Sequence, residues 1–191
     1  MKLQTYNEIV TPELLVGTLD HNPHTGFLED YRVLSCLLKI HQPKSMFEVG
    51  TNVGGGIRVM KTALPSLEIF SLDLDYATMK LNSKQYPIGA NGEDRVGSNA
   101  KVKYTQLRGD SMKFNYSQYP CESYFIDGEH DELHATYESL AVFKLKPKLI
   151  VWHDSDMPPV MAGIQAAFKK HSEKYDLYRV TDTRIAYAVR K

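Results

Sequence analysis

Two cysteines, one tryptophan and no excess of either charge mark out much of what this 191-residue chain is not. Cys36 and Cys121 lie far apart and neither sits in a paired motif, so a disulfide framework and a cysteine-rich metal site are both excluded. Isolated thiols suit a reducing compartment. The opening MKLQTYNEIVTPELL has no apolar stretch of signal-peptide length, and a cytoplasmic location is expected. No run approaches a membrane span, so no membrane partner is expected. Lys plus Arg and Asp plus Glu both number 23, giving a formal net charge of zero. The basic excess of a nucleic-acid or anionic-membrane binder is therefore missing, and a small molecule is the expected partner. Oligomeric state is not legible in the composition. The HDEL string at His130 to Leu133 is internal and cannot act as a C-terminal retention address.

What is present is an alternation of strand and helix patterns. Residues 1–27 are polar and turn-rich, with His21, Asn22, Pro23, His24 and Gly26 clustered, and they read as an arm or lid. Leu28, Tyr31, Leu34, Leu37 and Leu38 have helical spacing, so residues 1–44 form an arm plus a helix ahead of the main unit, 45–191, within a single domain. Strands are expected at Ser45–Val49, Ile69–Asp73, Val102–Leu107, Tyr124–Ile126 and Leu149–Trp152, with helices over 57–64, 133–143 and 160–171. Residues 82–99, rich in Gly, Asn and Pro, interrupt the order as a long excursion. Leu177–Val180 and Ile185–Val189 are joined by a short Thr-Asp-Thr-Arg turn, which makes them antiparallel if they are neighbours. The order implies an α/β fold, Rossmann-like and doubly wound, with a mostly parallel sheet and a C-terminal antiparallel hairpin.

In such a sheet, ligands bind beyond the carboxyl ends of the strands. The segment MFEVGTNVGGG ends a strand in Glu48 and runs straight into a glycine turn and a helix, the outline of a nucleotide-cofactor cradle. A carboxylate there is awkward for pyrophosphate and suited to a cationic ligand. Polar groups follow every other strand: Asp73 and Asp75, then Asp110 and Ser111, then Asp127, Glu129 and His130, then His153, Asp154 and Asp156. Asp73 lies 23 positions after Gly50, near the spacing of roughly 20 for an acidic residue that accepts ribose hydroxyls.

The segments FEVGTNVGGG, IFSLDLD, LRGDSMKFNYSQYP, ESYFIDGEHDELH and LIVWHDSD, in this order, resemble a class I S-adenosylmethionine-dependent methyltransferase over roughly residues 45–190. The IDG-x-H and W-H-D strings resemble a small-molecule branch, and the family fold is a seven-stranded sheet closed by a hairpin. The resemblance implies S-adenosylmethionine as cofactor. Its methionine part would be held by Glu48 and the turn containing Gly50, Thr51, Asn52, Gly54 and Gly55, and its ribose by Asp73. Asp110 and Ser111 would lie at the adenine, and Asp127 at the transferring methyl. Asn52 departs from a common second glycine, and Gly56 from a common small hydroxyl residue.

Methyl transfer to a hydroxyl, the favoured acceptor, needs alignment and a proton acceptor. His153 is the first candidate base and His130 the second. Asp127 and Asp154 could instead hold Mg²⁺ or Ca²⁺, as some related O-methyltransferases do. His130 and His134 lie four apart, but HDELH lacks the glutamate placement of a zinc helix and reads as a solvated helix start. Two other readings stay open. One is an NAD(P)-dependent oxidoreductase, whose glycine spacing and Tyr-x-x-x-Lys pair (Tyr76, Lys80) are imitated in the wrong order. The other is a cofactor-binding protein without transferase activity.

Overall fold

In the computed structural model, the strands of this chain assemble into one eight-stranded sheet. The structure describes residues 1–18, 27–81, 88–89 and 92–191; His21, His24 and the greater part of the 82–91 stretch lie outside them. The elements run β1 (Lys2–Gln4), α1 (Tyr6–Ile9), α2 (Pro12–Leu15), α3 (Leu28–His41), β2 (Ser45–Val49), α4 (Gly55–Ala63), β3 (Glu68–Asp73) and α5 (Tyr76–Leu81). They continue with β4 (Thr105–Arg108), β5 (Ser123–Ile126), α6 (Glu132–Leu145), β6 (Leu149–Trp152), α7 (Pro158–Lys169), β7 (Tyr175–Val180) and β8 (Ala186–Arg190).

The sheet order is β1-β7-β8-β6-β5-β2-β3-β4. Only β8 runs against its neighbours, β6 and β7, which is the closing hairpin expected from the short turn. The strand count is one more than the expected seven. The extra strand is β1, too short to show a pattern, which pairs parallel with β7 and covers its edge. The third expected strand also starts later than Val102. Lys101 adopts a left-handed conformation (φ 50°), so the chain is still turning there and pairs with β3 only from Thr105.

Alternation along each strand divides the core into two layers. Met46, Ile69 and Phe125 face α3 and α4, while Phe47, Leu72 and Trp152 face α6 and α7. Helix α3 is part of the first layer through Val33, Leu34 and Leu37, all buried. The same alternation puts Glu48 on the α4 side, opposite Ser71 in the β2–β3 register. Leaving β2, the chain builds β3 and β4 on one side and then returns to place β5 on the other. That reversal opens a crevice at the strand ends, between β2 and β5.

Candidate active site

A cavity of about 790 Å³ occupies this crevice. It receives residues from every strand end singled out by the sequence: Glu48, the turn residues Gly50 to Val53 with Gly55 and Gly56, Asp73, Asp110 and Ser111, Asp127 to His130, and His153 and Asp154. Gly54 does not line it and packs instead against Gly97 and Ala100.

The cradle is held by close backbone packing. Gly50 has φ 93°, and a Cβ there would stand 2.0 Å from the Asp127 carbonyl oxygen. The turn therefore fits against β5 only because Gly50 has no side chain. Asn52 is left-handed as well (φ 47°), a conformation that asparagine tolerates better than most residues. Its backbone N–H donates to Asp73 Oδ2 at 2.7 Å, and Leu74 N donates to Oδ1 at 2.8 Å. Burial raises the Asp73 carboxyl above its ordinary value, against these two hydrogen bonds. The segment from Gly92 to Ala100 folds over the turn: Gly97 N donates to Asn52 O and Asn99 N to Val53 O, both at 2.8 Å. Arg95 and Asn99 thereby line the cavity, a contribution not visible in the sequence.

Glu48 is buried beneath Gly56, where a Cβ would meet its Oε1 at 2.4 Å. This contact leaves no room for a side chain at position 56. Ser71 Oγ donates to Glu48 Oε2 and sits 2.7 Å from Thr51 Oγ1, which in turn accepts from Gln106 Nε2 at 2.9 Å. Burial pushes the Glu48 carboxyl well up, with Asp127 and Asp73 adding to the shift. At the third strand end, Asp110 Oδ1 accepts from Met112 N and its Oδ2 pairs with exposed Lys113.

At the other end of the cavity, charges are tightly interleaved. His153 Nδ1 is 2.9 Å from Asp154 Oδ2 and 3.2 Å from Asp127 Oδ1. Its Nε2 donates to Asp30 Oδ2 at 3.1 Å. Burial works against a charged ring, but the carboxylates of Asp127, Asp154 and Asp30 outweigh it and push His153 up to about 12. Left to itself the ring is an imidazolium with both nitrogens engaged, a poor description of a free base. His130 differs: its side chain is half-exposed, and Nε2 lies 3.0 Å from Asp154 Oδ2, a hydrogen bond that raises its pKa. Burial alone would raise the Asp154 carboxyl, yet His130 and His153 pull it below its usual range. Arg184 Nη1 lies 3.0 Å from Asp154 Oδ1 and adds a guanidinium to the cluster. Its guanidinium lies 3.6 Å from the Phe27 ring centroid, and Tyr31 stacks near His153. Phe27, Tyr31 and Met157 make this end of the cavity partly apolar.

Asp30 and Arg184 were not legible as site residues. Asp30 does carry a signal in retrospect: it lies four and seven positions before Leu34 and Leu37, in the buried stripe of α3, and is itself 3% exposed. His134 does not join the cluster. Its ring pairs with Asp131, whose other oxygen caps α6 by accepting from His134 N at 2.8 Å, as a solvated helix start would.

No known protein-family profile matches the chain, and neither does any curated protein sequence. Solved structures do match in fold. An O-methyltransferase from Bacillus cereus in complex with SAH has a TM-score of 0.56 at 15% identity, covering 97% of this chain and 90% of that one. A Staphylococcus aureus protein assigned as a caffeoyl-CoA O-methyltransferase has a TM-score of 0.55 at 11% identity, covering 88% and 86%. The mycinamycin-pathway methyltransferase MycE, in complex with Mg, SAH and mycinamycin VI, has a TM-score of 0.52 at 16% identity, over 78% of this chain and 45% of that one. At these identities the likeness establishes a shared architecture: the Rossmann-like sheet with a closing hairpin seen in these O-methyltransferases. Among the described residues, no helix is long and apolar enough to cross a membrane.

Proposed function

We propose that this protein transfers the methyl group of S-adenosylmethionine to a hydroxyl of a small-molecule acceptor. The observation that carries this reading is the division of one cavity into two ends. One end has Glu48, the glycine turn, Asp73 and Asp110; the other has Asp127, His130, His153 and Asp154 beside an apolar wall. In this reading Asp73 accepts the ribose hydroxyls, the turn N–H groups and Glu48 hold the methionine part, and Asp110 with Ser111 borders the adenine. The volume suits a cofactor and an acceptor together.

The donor atoms of Asp127, His153 and Asp154 lie within 4.8 Å of one another, so this set fits a divalent cation. A bound cation would polarise the acceptor hydroxyl and lower its pKa. It would take the place of the proton on His153 Nδ1 and leave the Nε2 proton with Asp30. Asp127 faces the cavity and orients the acceptor. His130, half-exposed and donating its Nε2–H to Asp154, takes the hydroxyl proton at its other ring nitrogen, Nδ1, and passes it to solvent.

Titration calorimetry with S-adenosylhomocysteine (SAH) tests the cofactor half. Wild-type protein is expected to bind it in the micromolar range or tighter, and Asp73→Ala to weaken binding roughly 10- to 100-fold through loss of charge-assisted hydrogen bonds. Binding of NADPH with none of SAH would overturn the reading in favour of an oxidoreductase. The catalytic half is tested by turnover to SAH over a panel of phenolic and sugar hydroxyl acceptors. His130→Gln is expected to lower turnover about 10²- to 10⁴-fold with SAH affinity unchanged. SAH binding with no turnover on any acceptor would favour a binding protein instead.

A further inference from the structure

Resting on that reading, the arrangement behind His153 says more than that a cation fits. Acidic residues alone would favour magnesium or calcium, both of which prefer oxygen ligands. Tertiary structure adds an imidazole nitrogen to the donor set. Imidazole suits first-row transition ions, and a mixed set of one nitrogen and two carboxylates is unlike an all-oxygen cage. The ring is also oriented in advance. Asp30 Oδ2 accepts from His153 Nε2 at 3.1 Å, while Asp30 Oδ1 accepts from the Arg184 backbone N at 2.9 Å. A carboxylate is acceptor-only, so this contact keeps a proton on Nε2 and turns Nδ1 toward Asp127 and Asp154. A metal-binding histidine characteristically donates its other ring N–H to such a partner, which sets the tautomer and the ring plane. Asp30 is 3% exposed and His153 9%, so neither contact is competed by solvent.

We propose that the Asp127–His153–Asp154 cluster takes a divalent transition-metal ion such as Mn²⁺ in preference to Mg²⁺, and that Asp30 is the positioning residue that orients His153 for it. Asp30 comes from α3, ahead of the segment that resembles methyltransferases. The ion site is therefore completed by a helix outside the glycine turn.

Calorimetric titration of chelator-treated full-length protein with MnCl₂ and with MgCl₂ tests the preference. Mn²⁺ is expected to bind at least about tenfold more tightly. The pulsed electron spin resonance spectrum of bound Mn²⁺ is expected to show nitrogen modulation from the imidazole, and His153→Asp to abolish it and narrow the Mn²⁺/Mg²⁺ ratio. Asp30→Asn is expected to weaken Mn²⁺ roughly 10- to 100-fold while SAH affinity, measured in chelator, stays within twofold. Nitrogen-15 histidine spectra of the wild type with Zn²⁺ examine Asp30's role without a variant: His153 should carry its proton on Nε2 and the ion on Nδ1. Equal affinity for the two ions, no nitrogen modulation, or the opposite tautomer would each overturn the proposal. So would an Asp30→Asn protein that binds Mn²⁺ as the wild type does. Failure of SAH to bind the wild type would instead remove the methyltransferase reading and leave the ion order standing.

Discussion

Glu138→Gln is expected to stabilise the protein at pH 8 by on the order of 3 kcal/mol, the cost of ionising a carboxyl whose pKa is raised by two to three units. Glu138 is fully buried on α6, and neither carboxyl oxygen has a hydrogen-bond partner among the described residues. Its Oε1 lies beneath Gly128, where a Cβ would come within 3.2 Å. Burial pushes the carboxyl from 4.5 up to about 7; Ser111 and His134 pull it down and Asp131 and Glu129 push it up, and the Ser111 hydroxyl makes no hydrogen bond of good geometry. A folded pKa above the unfolded one means that the folded state holds the proton longer. Glu138 therefore costs nothing below about pH 4.5, and stability falls as pH rises from there through about 7, after which the penalty is constant. The glutamine variant lacks this slope. Thermal melts at pH 5 and pH 8 measure it: the variant is expected to gain roughly 5–10 °C at pH 8 and little at pH 5. Equal gains at both values would show that the carboxyl has the same pKa in the folded and unfolded chain.

Gly50→Ala is expected to abolish SAH binding and to destabilise the protein by roughly 3 kcal/mol or more. The new Cβ would stand 2.0 Å from Asp127 O and 2.7 Å from its carbonyl carbon, and the position has φ 93°. Both partners are backbone, so relief requires the end of β5 to move away from the turn, which separates the cradle from Asp127. Gly17→Ala is the control for conformational strain alone: its φ is 71°, and nothing lies within 4 Å of the added atom. That variant is expected to lose about 1–2 kcal/mol and to keep SAH affinity. Calorimetric SAH titration and chemical denaturation of the two variants separate the effects. Wild-type SAH affinity in Gly50→Ala would show that the turn is not the cofactor cradle.

Legibility of the fold followed the strength of the local pattern. β2 and β6 fall where their apolar runs ended, at Ser45–Val49 and Leu149–Trp152, because strands covered on both faces carry little else. β1 and α5 escaped notice for the opposite reason. Three residues at a sheet edge have no periodicity to read, and Tyr76–Leu81 is a six-residue helix set in motion by Asp75, whose carboxylate accepts from Thr78 N at 2.9 Å. The site divides in the same way. Residues directly after strands were found because topology sends every strand end to one edge. Asp30, Ser71, Gln106 and Arg184 were not, since each acts on a residue distant in the chain: Asp30 on His153, Ser71 on Glu48, Gln106 on Thr51 and Arg184 on Asp154.

By itself, then, the amino-acid order determined the alternation of strands and helices, the closing hairpin, the glycine turn behind Glu48 and the collection of acidic groups at one sheet edge. These follow from period, turn chemistry and connection length, which are local properties. Tertiary structure decided the burial of Glu48 and Glu138, the clamping of His153 between carboxylates from three parts of the chain, and the use of α3 as a wall of the cavity. Those depend on burial and on contacts across the fold, and no local pattern encodes how far a carboxylate ends up from water or which imidazole nitrogen it will face.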